Sequence, residues 1–141
     1  FVVSTIDFAD ISGSINTFNF DINQINSTLK ITDKNISKFT VKIDASEMVS
    51  RTISVPVSQV SIKNNRDDFK VELNQSKDVS IKIVGKESYI DSISAENLSI
   101  IIDTTEQEIS DNTTILSSYI VIIGDYPCWA VGNYDIKVNV H

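Results

Sequence analysis

The sequence predicts an all-β chain with little helix, built as two tandem related small β units whose strands are intertwined. Three observations carry this prediction: residue usage, period-2 alternation and an internal repeat. The chain of 141 residues contains 23 Ile and 14 Val but only 4 Leu and 4 Ala. Branched side chains lose rotamer freedom in helices and pack well on a pleated surface. We therefore expect a helix content below roughly 12%, well under that of an average globular domain.

Most strands are predicted from the alternation of apolar and polar residues, which places one face of a strand in the core. The segment "FTVKI" (39–43) is apolar at every odd position and polar at every even one. The same pattern recurs in five further segments, at 53–57, 60–62, 69–73, 79–83 and 136–140. Pro56 cannot donate a hydrogen bond to a ladder, so its strand is predicted to lie at a sheet edge or to carry a bulge.

Two segments are apolar at consecutive positions, at 100–102 and at 120–123. Such runs are typical of central strands that are covered on both faces. Between the strands, apolar residues at helical spacing predict a helix of one or two turns near Glu87–Ser92.

An internal repeat relates the two halves of the chain. Shifting the sequence by 59 residues places "FTVKIDASE" (39–47) on "LSIIIDTTE" (98–106) with the apolar positions in phase. A slip of one residue inverts every face of a strand, so chance alternation does not hold its phase over a long ungapped match. The copies are predicted at about 20–73 and 79–140, which divides the chain into units at 1–75 and 76–141.

The repeat has specific consequences. Asp44 and Asp103 should occupy equivalent positions, and Ile43 and Ile102 should both be buried. Residues 1–12 are predicted to form a strand that belongs to a preceding unit or is borrowed into the first one.

The charge pattern argues against a nucleic-acid partner. The formal net charge is −7, and no two of the 12 Lys and Arg residues are adjacent. A nucleic-acid binder needs a basic face to displace counterions from phosphates. An anionic membrane surface is disfavoured for the same reason.

Residues that could carry catalysis or hold a metal are sparse. The chain has one histidine, His141, and one cysteine, Cys128, which we interpret as a small, half-buried apolar residue. No internal histidine is available as a base, and no second cysteine could complete a zinc site. The four glycines form no phosphate-binding loop. We therefore predict no catalytic, cofactor-binding or metal-binding residue, and we do not expect an enzyme.

Carboxylates follow two of the predicted strands at equivalent places. Asp44 with Glu47, and Asp103 with Glu106, each form the pattern D-x-x-E. Two facing carboxylates at a set separation are what a glycosidase needs. Directly after a strand, however, the pattern favours a turn in which the Asp side chain accepts backbone N–H groups.

The segment 124–132 contains the only Trp and makes the second copy longer than the first. Pro127 blocks strand pairing and two glycines permit bends, so the segment should leave the sheet and re-enter near Asn133. Tyr126 and Trp129 are the candidate partner-binding residues, because aromatic side chains are favoured interface anchors. In the alternative, Trp129 folds back and caps the core.

Four spaced motifs run through the second half of the chain. They are a "V-x-V-x-G" strand, a segment ending in "I-x-x-I", a strand of the form "hydrophobic-x-hydrophobic-D-hydroxyl" and a closing "G-x-Y-x-V-x-V" strand. The matching residues, in that order, are Val79, Ile81, Ile83 and Gly85; Ile90 and Ile93; Ile100, Ile102, Asp103 and Thr104; and Gly132, Tyr134, Ile136 and Val138. This pattern resembles the YbbR-like domain of bacterial surface proteins. The first half matches through "FTVKIDAS" and has Asn26 where Gly85 would align.

The resemblance implies tandem β domains outside the cell, behind an upstream membrane helix. In one branch of the family, such a protein regulates a membrane diadenylate cyclase. The expected function is thus a non-catalytic extracytoplasmic module of a membrane-anchored bacterial protein, which binds a protein or cell-wall component or spaces other domains. The chain is then a fragment of a longer protein at the extracytoplasmic face of the bacterial cell membrane. The alternative is an Ig-like adhesion or carbohydrate-binding β-sandwich in which Tyr126 and Trp129 stack on a sugar.

Overall fold

The all-β prediction is confirmed by the computed structural model, which describes residues 4–21, 37–65, 67–105 and 107–141. Strands make up 50% and helical turns 11% of these residues, which also confirms the low helix content. The strands are β1 (Ile15–Asp21), β2 (Lys38–Asp44), β3 (Val49–Val55), β4 (Val60–Lys63), β5 (Val71–Leu73), β6 (Val79–Gly85), β7 (Leu98–Asp103), β8 (Ile115–Ile122), β9 (Cys128–Val131) and β10 (Tyr134–Val140). In the described ranges, the helical elements are α1 (Glu87–Ile90) and three short 3₁₀ turns at Phe8–Asp10, Val57–Gln59 and Ala95–Asn97.

Two sheets enclose the main core. The larger one has the order β4-β7-β8-β10-β5, in which only the β4–β7 pair is parallel, and the smaller one is the antiparallel sheet β3-β6-β9. Branched side chains from both sheets form one cluster whose most buried members include Val55, Ile81, Ile83, Ile100, Ile102, Ile136 and Val138. Burying such side chains is the dominant stabilising term for a β fold of this size.

The helical turn lies where the sequence predicts it and closes one end of this core. Ile90 and Ile93 are each 1% exposed and belong to the core cluster. The guanidinium of Arg51 on β3 donates hydrogen bonds to the carbonyl oxygens of both residues, at 3.2 and 3.1 Å. These bonds satisfy carbonyls at the end of a short helix, which otherwise lack partners.

β1 and β2 form a separate two-stranded antiparallel sheet. The rings of Phe20 and Phe39 face each other across it, with centroids 5.0 Å apart. The expectation that Ile43 is buried is wrong: Ile43 is half-buried, whereas Ile102 is fully buried. The reason is that β2 pairs with β1 in this two-stranded sheet, while β7 lies inside the large sheet between β4 and β8.

Three ladders join strands from either side of the predicted unit division at 75/76. β3 pairs with β6, β4 with β7 and β5 with β10. The strands on the two sides of this division are therefore interleaved in shared sheets. The division itself and the descent of the two halves from one repeat stay predictions, and residues 22–36 of the first copy lie outside the described residues.

The predicted burial of the two apolar runs is confirmed for one run and wrong for the other. The run at 100–102 is buried on both faces of β7, as predicted. The run at 120–123 lies at the end of the central strand β8, but Val121 and Ile123 are 38% and 55% exposed, so the prediction of cover on both faces is wrong there. Pro56 follows directly after β3, which is an edge strand of its sheet, as predicted.

Candidate functional site

The segment 124–132 does not run as one loop. Residues 124–127 leave the large sheet, but Cys128–Val131 form β9, which pairs with β6 in the other sheet. The chain returns to the large sheet at Tyr134, the first residue of β10, so the predicted re-entry near Asn133 is confirmed, but residues 128–131 form a strand of the other sheet and not a loop. Pro127 lies just before β9 and outside the β6–β9 ladder, so it removes no hydrogen bond from that ladder.

Close packing of β9 on β6 depends on Gly85. Gly85 lies opposite Cys128 in the ladder, and a Cβ atom at position 85 would be 2.7 Å from the Cβ of Cys128. Cys128 is half-buried, as predicted, and its burial raises the pKa of the thiol. The thiol therefore stays protonated near neutral pH and acts as a small apolar group in this site.

Trp129 does not belong to the core cluster, as the core-cap alternative would require, and its role in partner binding stays a prediction. It is half-buried and lies on the outer face of the small sheet, opposite Val84 in the ladder. Its Nε1–H donates a hydrogen bond of 2.7 Å to the carbonyl oxygen of Ile11. The ring also contacts Phe8, with centroids 5.5 Å apart and an interplanar angle of 51°. Trp129 thus fixes the N-terminal segment on β9.

Three further features stabilise the N-terminal segment in this position. The Asp7 carboxylate caps the turn by accepting the N–H of Ala9 at 2.9 Å, and the carbonyl of Ala9 accepts the N–H of Gly132 at 2.9 Å. Ile11 is 6% exposed. The strand predicted within residues 1–12 is wrong for residues 4–12, because the Asp7 cap and the Trp129 contact favour a helical turn there; residues 1–3 lie outside the described residues.

Phe8 and Trp129 form an aromatic ridge on the surface. Phe8 is 63% exposed, and its backbone is fixed by the bonds of its neighbours to β9 and Gly132. Sequence reasoning missed Phe8, although Asp7 directly before it is a typical cap of a turn and could have indicated one.

A first groove, here called the loop groove, lies on one side of the ridge. It has a volume of about 360 Å³ and is lined by the ridge together with Met48, Tyr126, Pro127 and Cys128. Tyr126 and Trp129, the two predicted partner-binding residues, therefore share one surface. The ring of Tyr126 lies directly against Gly124, which has a φ of 116°, and Tyr126 also packs on the core.

A second groove, here called the edge groove, lies on the other side of the ridge, between β8 of the large sheet and β9 of the three-stranded sheet. It has a volume of about 350 Å³ and is lined by the ridge, by Ser118–Ile120 and Ile122 of β8, and by residues 132–134. The hydroxyl of Tyr134 accepts the N–H of Lys82 at 2.9 Å and donates to the carbonyl of Val131. Tyr134 thereby ties the large sheet to the small one at the base of this groove.

Asp44 and Asp103 each stabilise a turn, whereas Glu106 lies outside the described residues. Asp44 Oδ1 accepts the N–H of Ser46 at 3.0 Å, and Asp103 Oδ1 accepts the N–H of Thr105 at the same distance. These bonds confirm the predicted turn at both places. Hydrogen bonds from Ser46 lower the pKa of Asp44, and those from Asn64 and Thr105 lower the pKa of Asp103, so both side chains are carboxylates at neutral pH.

Comparison of the chain with protein-family models, with curated proteins and with solved structures finds no match. The likeness to the YbbR-like pattern rests on the quoted motifs alone. Two of those motifs have a clear structural role here, since Gly85 admits β9 and Tyr134 joins the sheets. Within the described residues, no group of three or more His, Cys, Asp or Glu side chains could hold a metal ion, and no helix is long and apolar enough to cross a membrane.

Proposed function

We propose that this chain is a non-catalytic protein-interaction module of a membrane-anchored bacterial protein, located at the extracytoplasmic face of the membrane and similar to YbbR-like domains. It binds a protein partner through the aromatic ridge and the grooves beside it. In this role it links or regulates neighbouring components of the membrane rather than transforming a substrate.

The observation that carries the proposal is the exposure of Phe8 on a rigid support. The Phe8 residue is 63% exposed, yet the contact with Trp129 and the hydrogen bonds around Phe8 fix it in place. Fixed aromatic side chains lose little entropy on binding and are favoured anchors of protein interfaces. The two grooves give a partner side chain a concave surface on either side of the ring.

A carbohydrate ligand is the alternative, since the side chains of Asp7 and Asn133 line the edge groove and could bond sugar hydroxyls. Sugar recognition by stacking needs a flat, open aromatic face. The Trp129 ring is half-buried and tilted against Phe8 at 51°, which leaves no such face across the ridge. This geometry favours a protein partner.

The test is site-specific photo-crosslinking of the full-length protein in intact cells. A photoreactive amino acid replaces Phe8 in one variant and Tyr89, which is 41% exposed on α1, in the matched control. We expect a protein adduct from position 8 that is absent from position 89 and that a protease added outside the cells can digest. No adduct at position 8, or an adduct that is protected until the cells are lysed, contradicts the proposal.

The carbohydrate alternative has its own measurement. Trp129 is the only Trp of the chain, so its fluorescence reports on the ridge alone. A saturable change on addition of soluble peptidoglycan fragments, without a protein adduct at Phe8, would favour the carbohydrate-binding function.

A further inference from the structure

β8 changes its hydrogen-bonding partner halfway along its length. Residues 115–118 pair with β10, and residues 119–122 pair with β7. Beside the first half, on the side away from β10, the amide of Gln107 takes the place of a strand: it donates to the carbonyl of Ser117 at 3.0 Å and accepts the N–H of Ser117 at 2.8 Å. Beside the second half, on the side away from β7, lies the edge groove.

The register decides which backbone groups face this groove. In an antiparallel ladder, only every second residue directs its N–H and C=O toward a given neighbour. The N–H of Ile123 donates to the carbonyl of Asn97, so Val121 and Tyr119 also bond toward β7. Ile120 and Ile122 therefore direct their N–H and C=O groups the other way, into the edge groove.

Within the described residues, no strand pairs with this part of β8 on the groove side. The β8–β10 ladder ends at the pair Ser118–Tyr134, because the chain before Tyr134 turns at Gly132 and continues as β9 in the other sheet. An edge with unpaired backbone groups is a template for another strand. The separation of β9 from β8 leaves a groove of about 350 Å³ beside it.

We propose that the edge groove receives an extended peptide segment of the protein partner, carrying lysine or arginine, which adds as a strand along Ile120–Ile122. This inference rests on the proposed function and names the class of partner. The backbone of the peptide bonds to Ile120 and Ile122, and an apolar side chain contacts Phe8 and Trp129.

Charge complementarity selects the basic peptide. Among the described residues that line the groove, Asp7 has the one charged side chain, and it is exposed. The chain as a whole carries a net charge of −7. A basic segment is therefore attracted to the groove and an acidic one is repelled, most strongly at low ionic strength.

The test uses a blocked seven-residue peptide of alternating valine and lysine, with the isotope-labelled protein observed by NMR. We expect saturable binding that slows hydrogen exchange of the Ile120 and Ile122 amides by about tenfold or more, because each gains a hydrogen bond. The Val121 amide, which already bonds to β7, should change much less. Saturable binding without slower exchange at Ile120 and Ile122 overturns the inference, and so does an absence of binding at millimolar peptide.

Two modified peptides separate backbone addition from simple apolar contact. Methylation of alternate backbone nitrogens removes the donors of one edge while keeping every side chain. We expect the peptide methylated on the edge that faces β8 to bind about tenfold more weakly than the one methylated on the opposite edge. Equal affinities would contradict the inference. Replacing lysine with glutamate should also weaken binding.

Protein variants locate the peptide without disturbing the core. Phe8→Ala should weaken binding by about tenfold, whereas Tyr89→Ala, a matched change of an exposed aromatic on α1, should leave it unchanged. If the peptide fails to add to β8 but the full-length protein still forms a crosslink from position 8, this inference fails and the proposed function stands. If both experiments fail, the proposed function fails as well.

Discussion

Replacing Gly85 with Ala tests the contact that places β9, and with it Trp129, on the small sheet. The added Cβ would lie 2.7 Å from the Cβ of Cys128 and 3.0 Å from the carbonyl oxygen of Pro127. Carbon atoms in contact prefer a separation of about 3.5–4.0 Å, so β6 and β9 would have to move apart by roughly 1 Å. The ladder between these strands resists that movement because its hydrogen bonds would lengthen.

The expected cost follows from two opposing effects. Overpacking a filled site costs about 1–3 kcal/mol, and Ala in place of Gly recovers about 0.4–1 kcal/mol by restricting the unfolded chain. Gly85→Ala should therefore lower the free energy of unfolding by about 1–2 kcal/mol. Urea denaturation followed by the fluorescence of Trp129 measures this change at the strand concerned.

A control substitution on the same strand and a second background show whether the cost arises from the contact with Cys128. Ser80→Ala, on an exposed position of the same strand, should change stability by less than about 0.5 kcal/mol. The cost of Gly85→Ala should be smaller in a Cys128→Gly background, because the most severe clash is then absent. If Gly85→Ala is as stable as the parent protein, or its cost is the same in both backgrounds, the packing of β9 on β6 described above is incorrect.

Three further predictions concern the hydrogen bonds of individual side chains. Tyr134→Phe removes two bonds to the backbone and should lower the free energy of unfolding by about 1–3 kcal/mol, measured by thermal denaturation; an unchanged melting temperature would contradict its role between the sheets. Trp129→Phe keeps a ring beside Phe8 but loses the bond to Ile11, so urea denaturation should show a cost of about 1 kcal/mol, and full unfolding would instead indicate a core residue. The pKa of Asp103 is lowered from its ordinary 3.8, so its contribution to stability is present above that pH and is lost as the pH falls through the lower native value. Denaturation at a series of pH values should therefore show less acid destabilisation for Asp103→Asn than for the parent, and identical profiles would contradict the assignment.

The sequence was sufficient to predict features that depend on local pattern. Alternation and β-branched residues gave the strands, since each strand buries one face whatever its neighbours are. The turns after Asp44 and Asp103 were predictable for the same reason, because the bonds run to residues two positions along the chain. The helical turn at Glu87–Ile90 also follows from short-range spacing.

Features that depend on distant partners could not be predicted. The apolar runs at 100–102 and 120–123 are alike in sequence, but the side chains of Val121 and Ile123 point to a face of the large sheet that leaves them exposed. No local sequence pattern specifies which face of a sheet is buried by other parts of the protein. In the same way, β9 was predicted as a loop because its pairing with β6 depends on Gly85, more than 40 residues earlier in the chain.

The candidate site was predictable only in part. Tyr126 and Trp129 were identified as aromatic residues on an unusual segment, and the structure does place them around one groove. Phe8 was missed because its contact with Trp129 joins residues from opposite ends of the chain. The unpaired edge at Ile120–Ile122 was missed because it arises where one strand exchanges partners between two others.

The exchange rate of the Trp129 indole N–H shows directly whether the N-terminal segment is fixed on β9 and forms the aromatic ridge with it. The chain has a single Trp, so the indole gives one resolved NMR signal. The bond of 2.7 Å to the carbonyl of Ile11 predicts slow hydrogen exchange and a chemical shift that differs from that of a free indole. Exchange as fast as that of a free indole in the folded protein would show that the segment is not fixed there, and would contradict the ridge and both grooves.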